Sequence, residues 1–265
     1  MPHVLPLLFL CLPADVAPPL EPIRLSADKH TLVLADSGRR FVPWGFNYDH
    51  DADGRLIEDY WDDDWAKVEK AFADMHSLGA NVVRVQLQFG KFMDAADKPN
   101  DKQFDHLGDL LKLAERERLY LDLTGLGCFH KKDVPAWYDK LSEKERWDAQ
   151  ARFWEAVAGR CARSNAVFCY DLMNEPVVPG GKVESGDWLP GKPLGGSYFV
   201  QYVTLDPGDR AAPEIFCQWI RRLTAAIRKQ DDRHLITVGM LPFVPDKVSD
   251  DLDFLSVHIY PQAKK

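Results

Sequence analysis

The sequence predicts an α/β protein built on a parallel (β/α)8 TIM barrel, of which it holds an N-terminal hairpin and the first six βα units. Short β-branched apolar runs alternate with segments whose apolar residues recur every three or four positions, the pattern of a parallel sheet covered by helices. The connection from Asn47 to Asp64 is long and acidic with Gly54 as its one glycine. A doubly wound nucleotide-binding sheet would carry a glycine-rich turn there. The length of 265 residues suits one barrel domain.

The chain opens with Val4 to Leu12, an apolar stretch too short to span a bilayer but suited to the core of a secretory signal. Asp15-Val16-Ala17 offers a small residue at the cut. Residues 1–17 are therefore expected to be a signal peptide, and 18–265 an incomplete barrel domain that is secreted or periplasmic. Ile23 to Ser26 and Thr31 to Leu34 alternate like strands around the turn residues Asp28-Lys29-His30, a small hairpin before the barrel. Arg40 to Asn47 reads as the first buried strand.

A helix follows on Trp65, Val68, Phe72, Met75 and Leu78, with Gly79 where a helix C-terminus favours glycine. Asn81 to Leu87 is strand two. Phe104, Leu107, Leu111 and Ala114 mark the next helix, and Leu119 to Thr124 is strand three. Trp147, Ala151, Trp154, Val157 and Cys161 mark a third helix before strand four, Val167 to Met173. A Gly- and Pro-rich loop over about 177–213 leads to a fourth helix on Phe216, Ile220, Leu223 and Ile227. Leu235 to Gly239 and Phe254 to Tyr260 are strands five and six.

Composition narrows the partners. The formal net charge is −8, from 41 acids against 33 bases, with no Lys/Arg-rich run, which argues against nucleic acid or an anionic membrane surface. After the leader no stretch reaches the roughly 18 uncharged apolar residues of a membrane span. A soluble monomer without a cofactor is expected. Cys128, Cys161, Cys169 and Cys217 remain after the leader and include no CxxC pair, so zinc is disfavoured, and disulfides and buried thiols both stay open. Asp49 to Gly54 imitates the start of a calcium loop, but Tyr60 stands where the last ligand should be Glu. No metal site is expected.

Active sites of such barrels lie at the C-terminal ends of the strands. Strand one ends in Asn47, strand two carries Arg84, strand four runs into Asn174-Glu175-Pro176, and strand six carries His258 and Tyr260 on one face. Pro176 is expected to stop the ladder and hold Glu175 extended. Converging polar groups of these kinds would be costly without a function. Each has a plainer alternative: a loop acid for Glu175, a structural ion pair for Arg84, a satisfied core imidazole for His258.

These residues carry a family resemblance. Tyr170-Asp171-Leu172-Met173-Asn174-Glu175-Pro176 resembles the acid/base strand of glycoside hydrolase clan A, most closely family 5, the cellulase and mannanase family. Phe41 to Asn47 resembles the family's first strand, Val83-Arg84-Val85 its second, and Ser256 to Pro261 its sixth, so the likeness spans about residues 40–261. It implies a retaining β-glycosidase acting on a β-linked polysaccharide or oligosaccharide of β-glucan or β-mannan type. Glu175 would be the general acid/base and Asn174 the partner of the sugar 2-hydroxyl, while Arg84 and Tyr260 would hold and polarise the nucleophile and His258 would line the pocket. Asn47 and Trp188 would bind substrate, Trp188 as an aromatic face in the long loop.

Two departures stand out. The family usually carries a histidine after the third strand's Asp-x, where this sequence has Thr124, with His130 a few residues on. The family's nucleophilic glutamate closes strand seven and its sugar-stacking tryptophan strand eight, so both are expected beyond Lys265. A non-catalytic carbohydrate-binding protein on the same fold is the competing reading. A Schiff-base lyase ranks last, because none of the six strands carries a lysine.

Overall fold

The structure is a computed structural model and describes residues 18–242 and 248–260. The expected signal peptide and Pro261 lie outside these residues.

Six parallel strands form one curled sheet, ordered sequentially: β1 (Gly45–Tyr48), β2 (Val82–Gln88), β3 (Tyr120–Gly127), β4 (Val167–Asn174), β5 (Leu235–Met240) and β6 (Ser256–Val257). Four long helices cross between them: α1 (Trp65–Ser77), α2 (Asp101–Arg116), α3 (Glu143–Cys161) and α4 (Ala212–Arg228). This is the partial (β/α)8 barrel that the alternation predicts. β2, β3, β4 and β5 are almost wholly buried because helices cover one face and the curled sheet encloses the other.

The helices start where local chemistry directs. Asn100 accepts from the Gln103 amide at the head of α2 at 3.2 Å. Ser142 and Glu145 form a reciprocal capping box at the head of α3, and Pro213 stands in the first turn of α4. Gly79 takes φ +87° after α1, as its place at the helix end requires. Most residues spaced for burial are buried, among them Val68, Phe72 and Met75, Phe104 and Leu107, Trp154 and Val157, Ile220 and Leu223, whereas Leu78, just past the end of α1, is exposed.

The segment expected as the first barrel strand divides in two. Arg40–Phe41 joins the N-terminal strands Ile23–Leu25 and Leu32–Leu34 in a small antiparallel sheet, and only Gly45–Tyr48 enters the barrel. Pro43 between them has no N–H to offer a ladder. At the other end β6 pairs with β5 through Ser256 and Val257, and the His258 amide extends the ladder to Met240 O at 2.8 Å.

Among the described residues β1 and β6 stand at the two edges of this sheet. A groove of about 410 Å³ lies between them, lined by Trp44, Phe46 and Asn47 on one side and Phe254, Leu255 and Ser256 on the other. Cys128, Cys161 and Cys169 are buried thiols, each pushed up by burial. The acidic run after β1 holds cations of its own: Asp51 accepts from Arg55 Nε at 2.9 Å and Lys67 Nζ at 2.6 Å. Among the described residues no helix is long and apolar enough to cross a membrane.

Candidate active site

At the end of β4 the chain presents Asn174 and then Glu175, both nearly buried at 7% exposure. The Glu175 amide donates to Gly239 O on β5 at 2.8 Å. Its carboxylate Oε1 lies 2.9 Å from His258 Nδ1 and accepts the Tyr260 hydroxyl at 3.4 Å. Both contacts fall on Oε1, the one carboxylate oxygen engaged among the described residues.

Glu175 does not adopt the extended backbone expected before Pro176: its φ is +47°. The Gly239 bond fixes its amide on one side. On the other, Pro176–Val177 leaves the main sheet to pair with Gln201–Tyr202. Together these turn the chain at Glu175. Leu126, at the end of β3, is likewise left-handed at φ +58°. Non-glycine residues in this region are strained, and such strain clusters at functional sites.

Beneath Glu175 lies a buried charge network. Arg84 on β2 donates to Asp171 Oδ2 through Nη2 at 2.5 Å and Nε at 3.2 Å, and through Nη2 to Asn174 Oδ1 at 3.1 Å. Asp171 is fully buried and also accepts from Thr124 Oγ1 at 2.8 Å and from the Gly239 amide at 2.6 Å. Asp122 on β3 stands 3.7 Å from Arg84 Nε. Burial and the neighbouring Asp171 push the Asp122 carboxyl up, while Arg84 draws it down. Burial tends to lower Arg84, but Asp171 and Asp122 outweigh it and hold the guanidinium charged.

Glu175, Asn174, Arg84, His258 and Tyr260 thus come together as a connected set. Asn47 lies at the level of Arg84, across from it in the sheet register, and faces the groove between β1 and β6. Trp188 is a correction. It is 2% exposed, its indole N–H donates to Asp139 O at 3.1 Å, and the Arg146 guanidinium covers its face at 4.1 Å. A ring packed in this way has no free face for a sugar. Thr124 is absorbed into the Asp171 network, whereas His130 sits beside Asp133, with Nδ1 3.4 Å from Oδ2.

Reasoning from the strand ends missed Asp171 and Asp122. Their signal was present: an acid inside each of two otherwise apolar strands, facing an arginine in a third. Gly239 was also missed, and no sequence signal marked it.

Comparison with known proteins agrees with this architecture. The cellulase family, glycosyl hydrolase family 5, matches residues 46–263. This chain belongs to glycosyl hydrolase family 5. No curated protein sequence matches it. Solved structures similar to this family 5 chain include an exo-β-1,4-mannosidase from Opitutaceae bacterium strain TAV5, at 18% identity and a TM-score of 0.64. That match covers 89% of this chain and 41% of the mannosidase. A β-1,4-mannanase from the sea hare Aplysia kurodai is 15% identical with a TM-score of 0.58, over 83% of this chain and 64% of its own. A GH5_18 protein from Streptomyces cattleya in complex with GlcNAc is 18% identical with a TM-score of 0.54, over 75% and 45%. At these identities the likeness is one of fold. The chain spans less than two thirds of the length of each.

Proposed function

We propose that this chain forms the acid/base side of a retaining β-glycosidase acting on a β-linked oligosaccharide or polysaccharide of mannan or glucan type. The observation that carries the reading is Glu175 itself. It is a nearly buried carboxylate at the end of β4, held by His258 and Tyr260 through Oε1 alone among the described residues.

Retaining hydrolysis uses two carboxyl groups about 5–5.5 Å apart. In this reading Glu175 protonates the leaving oxygen through Oε2 while a second carboxylate attacks the anomeric carbon. Deprotonated Glu175 then takes a proton from the water that releases the sugar. Asp171 is a poor attacking group, because Arg84, Thr124 and Gly239 occupy its oxygens. The family likeness implies that the attacking carboxylate is a glutamate on a seventh strand, outside the described residues. Asn174, oriented by Arg84 and by its own donation to Phe199 O at 2.7 Å, meets the sugar 2-hydroxyl.

Two structural neighbours are named for β-1,4-mannoside chemistry, so β-mannan is the first substrate class to try. The test is Glu175→Ala in the protein carrying strands seven and eight. Turnover of manno-oligosaccharides should fall by about 10²- to 10⁴-fold. A dinitrophenyl glycoside, whose leaving group needs no proton, should suffer far less in glycosyl-enzyme formation, and added azide should restore its turnover. Equal loss for every leaving group, with no azide rescue, overturns the acid/base role.

A further inference from the structure

Gly239, on β5, stands against Glu175, Asp171, His258 and Arg84. Its carbonyl accepts the Glu175 amide at 2.8 Å, and its amide donates to Asp171 Oδ1 at 2.6 Å. A Cβ at this position would stand 2.7 Å from His258 Nε2, 2.8 Å from His258 Cε1 and 3.0 Å from Arg84 Nη2. The backbone does not require glycine here, since φ lies outside the left-handed region. Only the space requires it.

Gly239 differs in this from Gly45 and Gly125. At Gly45 a Cβ would collide with the Val82 carbonyl, and at Gly125 with the rings of Trp154 and Phe153, so a side chain there would disturb backbone or core. At Gly239 the obstructing atoms are the ends of two side chains that belong to the site. An added methyl can therefore be accommodated by moving the His258 ring and the Arg84 guanidinium. The fold would tolerate such a shift far better than the geometry around Glu175 would.

We propose that Gly239 is a positioning residue for the acid/base carboxylate: its backbone sets where Glu175 and Asp171 sit, and its missing side chain admits His258 and Arg84 against them. The proposal rests on the reading of Glu175 as acid/base for its kinetic consequence, but its geometric content is independent of that reading. A misplacement of about 1 Å in such a constellation typically lowers turnover by about 10²-fold.

Two measurements on Gly239→Ala test it, with Val238→Ala, a buried residue of the same strand, as the structural control. In the 265-residue chain labelled at histidine, the His258 Nδ1 proton held by Glu175 should give a slowly exchanging, downfield NMR signal. Gly239→Ala should abolish it without unfolding the chain, and Val238→Ala should keep it. In the protein with strands seven and eight, Gly239→Ala should lower kcat about 10²-fold for poor leaving groups with KM little changed, and shift the pH profile of kcat/KM. Retention of the imidazole signal in Gly239→Ala overturns the proposal, whatever the activity. Loss of the signal in a protein that never shows glycosidase activity keeps the positioning role and refutes the hydrolase reading instead.

Discussion

Glu58 shows how much a single buried group shapes the behaviour of this fold. It lies on the short turn Ile57–Asp59 between β1 and α1, its Oε1 accepts the Gln88 amide at 2.8 Å, and it is 5% exposed. Burial pushes its carboxyl up from an ordinary 4.5 to about 7, with the Gln88 bond opposing. A carboxyl whose folded value is raised binds its proton more tightly in the folded state. Its contribution to stability is present below pH 4.5 and is lost as pH rises to about 7. Glu58→Gln keeps the acceptor and removes the titration. Denaturant unfolding should show the variant gaining on the parent by on the order of 3 kcal/mol as pH rises through this range, with a constant difference above it. A difference that does not vary with pH would mean that this carboxyl is not buried. Glu58 reads in the sequence as one more acid of a solvated loop, because nothing local announces that the Gln88 amide closes over it.

The connection from β4 to α4 is the element whose role the structure revised most. Gln201 donates to Leu126 O at 2.7 Å, the Tyr198 amide to Phe129 O at 2.9 Å, and Asn174 to Phe199 O at 2.7 Å, so its far end is fastened to β3 and to the site. Trp188 and Arg146 fasten its middle, with the guanidinium stacked between Trp188 at 4.1 Å and Tyr138 at 3.6 Å. Trp188→Ala should accordingly cost about 3–5 kcal/mol of stability, read by thermal or denaturant unfolding. A sugar-stacking Trp188 would instead leave stability near the parent and raise KM. The four long helices were legible from the spacing of their apolar residues, which is set within a few residues. The loop was not, since exposed and buried tryptophans look alike in a Gly- and Pro-rich segment.

At the scale of the molecule, the open seam between β1 and β6 dominates. Trp44 is 52% exposed, Ile259 72% and Tyr260 76%, and the groove between these strands reaches Arg84 and Asp122. Unpaired strand edges flanked by apolar side chains invite association. The 265-residue chain should therefore bind a hydrophobic dye such as ANS strongly and self-associate in light scattering. If the proposed seventh and eighth strands close the barrel, a protein that includes them should lose both properties. Strong dye binding that persists in the extended protein would show that the seam stays open.

The sequence by itself determined the βα alternation, the presence of the four long helices, and the placing of Arg84 on strand two, Asn174 and Glu175 at the end of strand four and His258 at the end of strand six. These follow from periodicity, capping and turn chemistry, which act over a few residues. Only the tertiary structure decided the left-handed turn at Glu175, the burial of Trp188, the charge network of Arg84, Asp122 and Asp171, and the space kept by Gly239. Each arises where strands distant in sequence meet, as when the Gly239 amide reaches Asp171 across 68 residues of chain. Such contacts depend on the curl and register of the whole sheet, which no local pattern encodes.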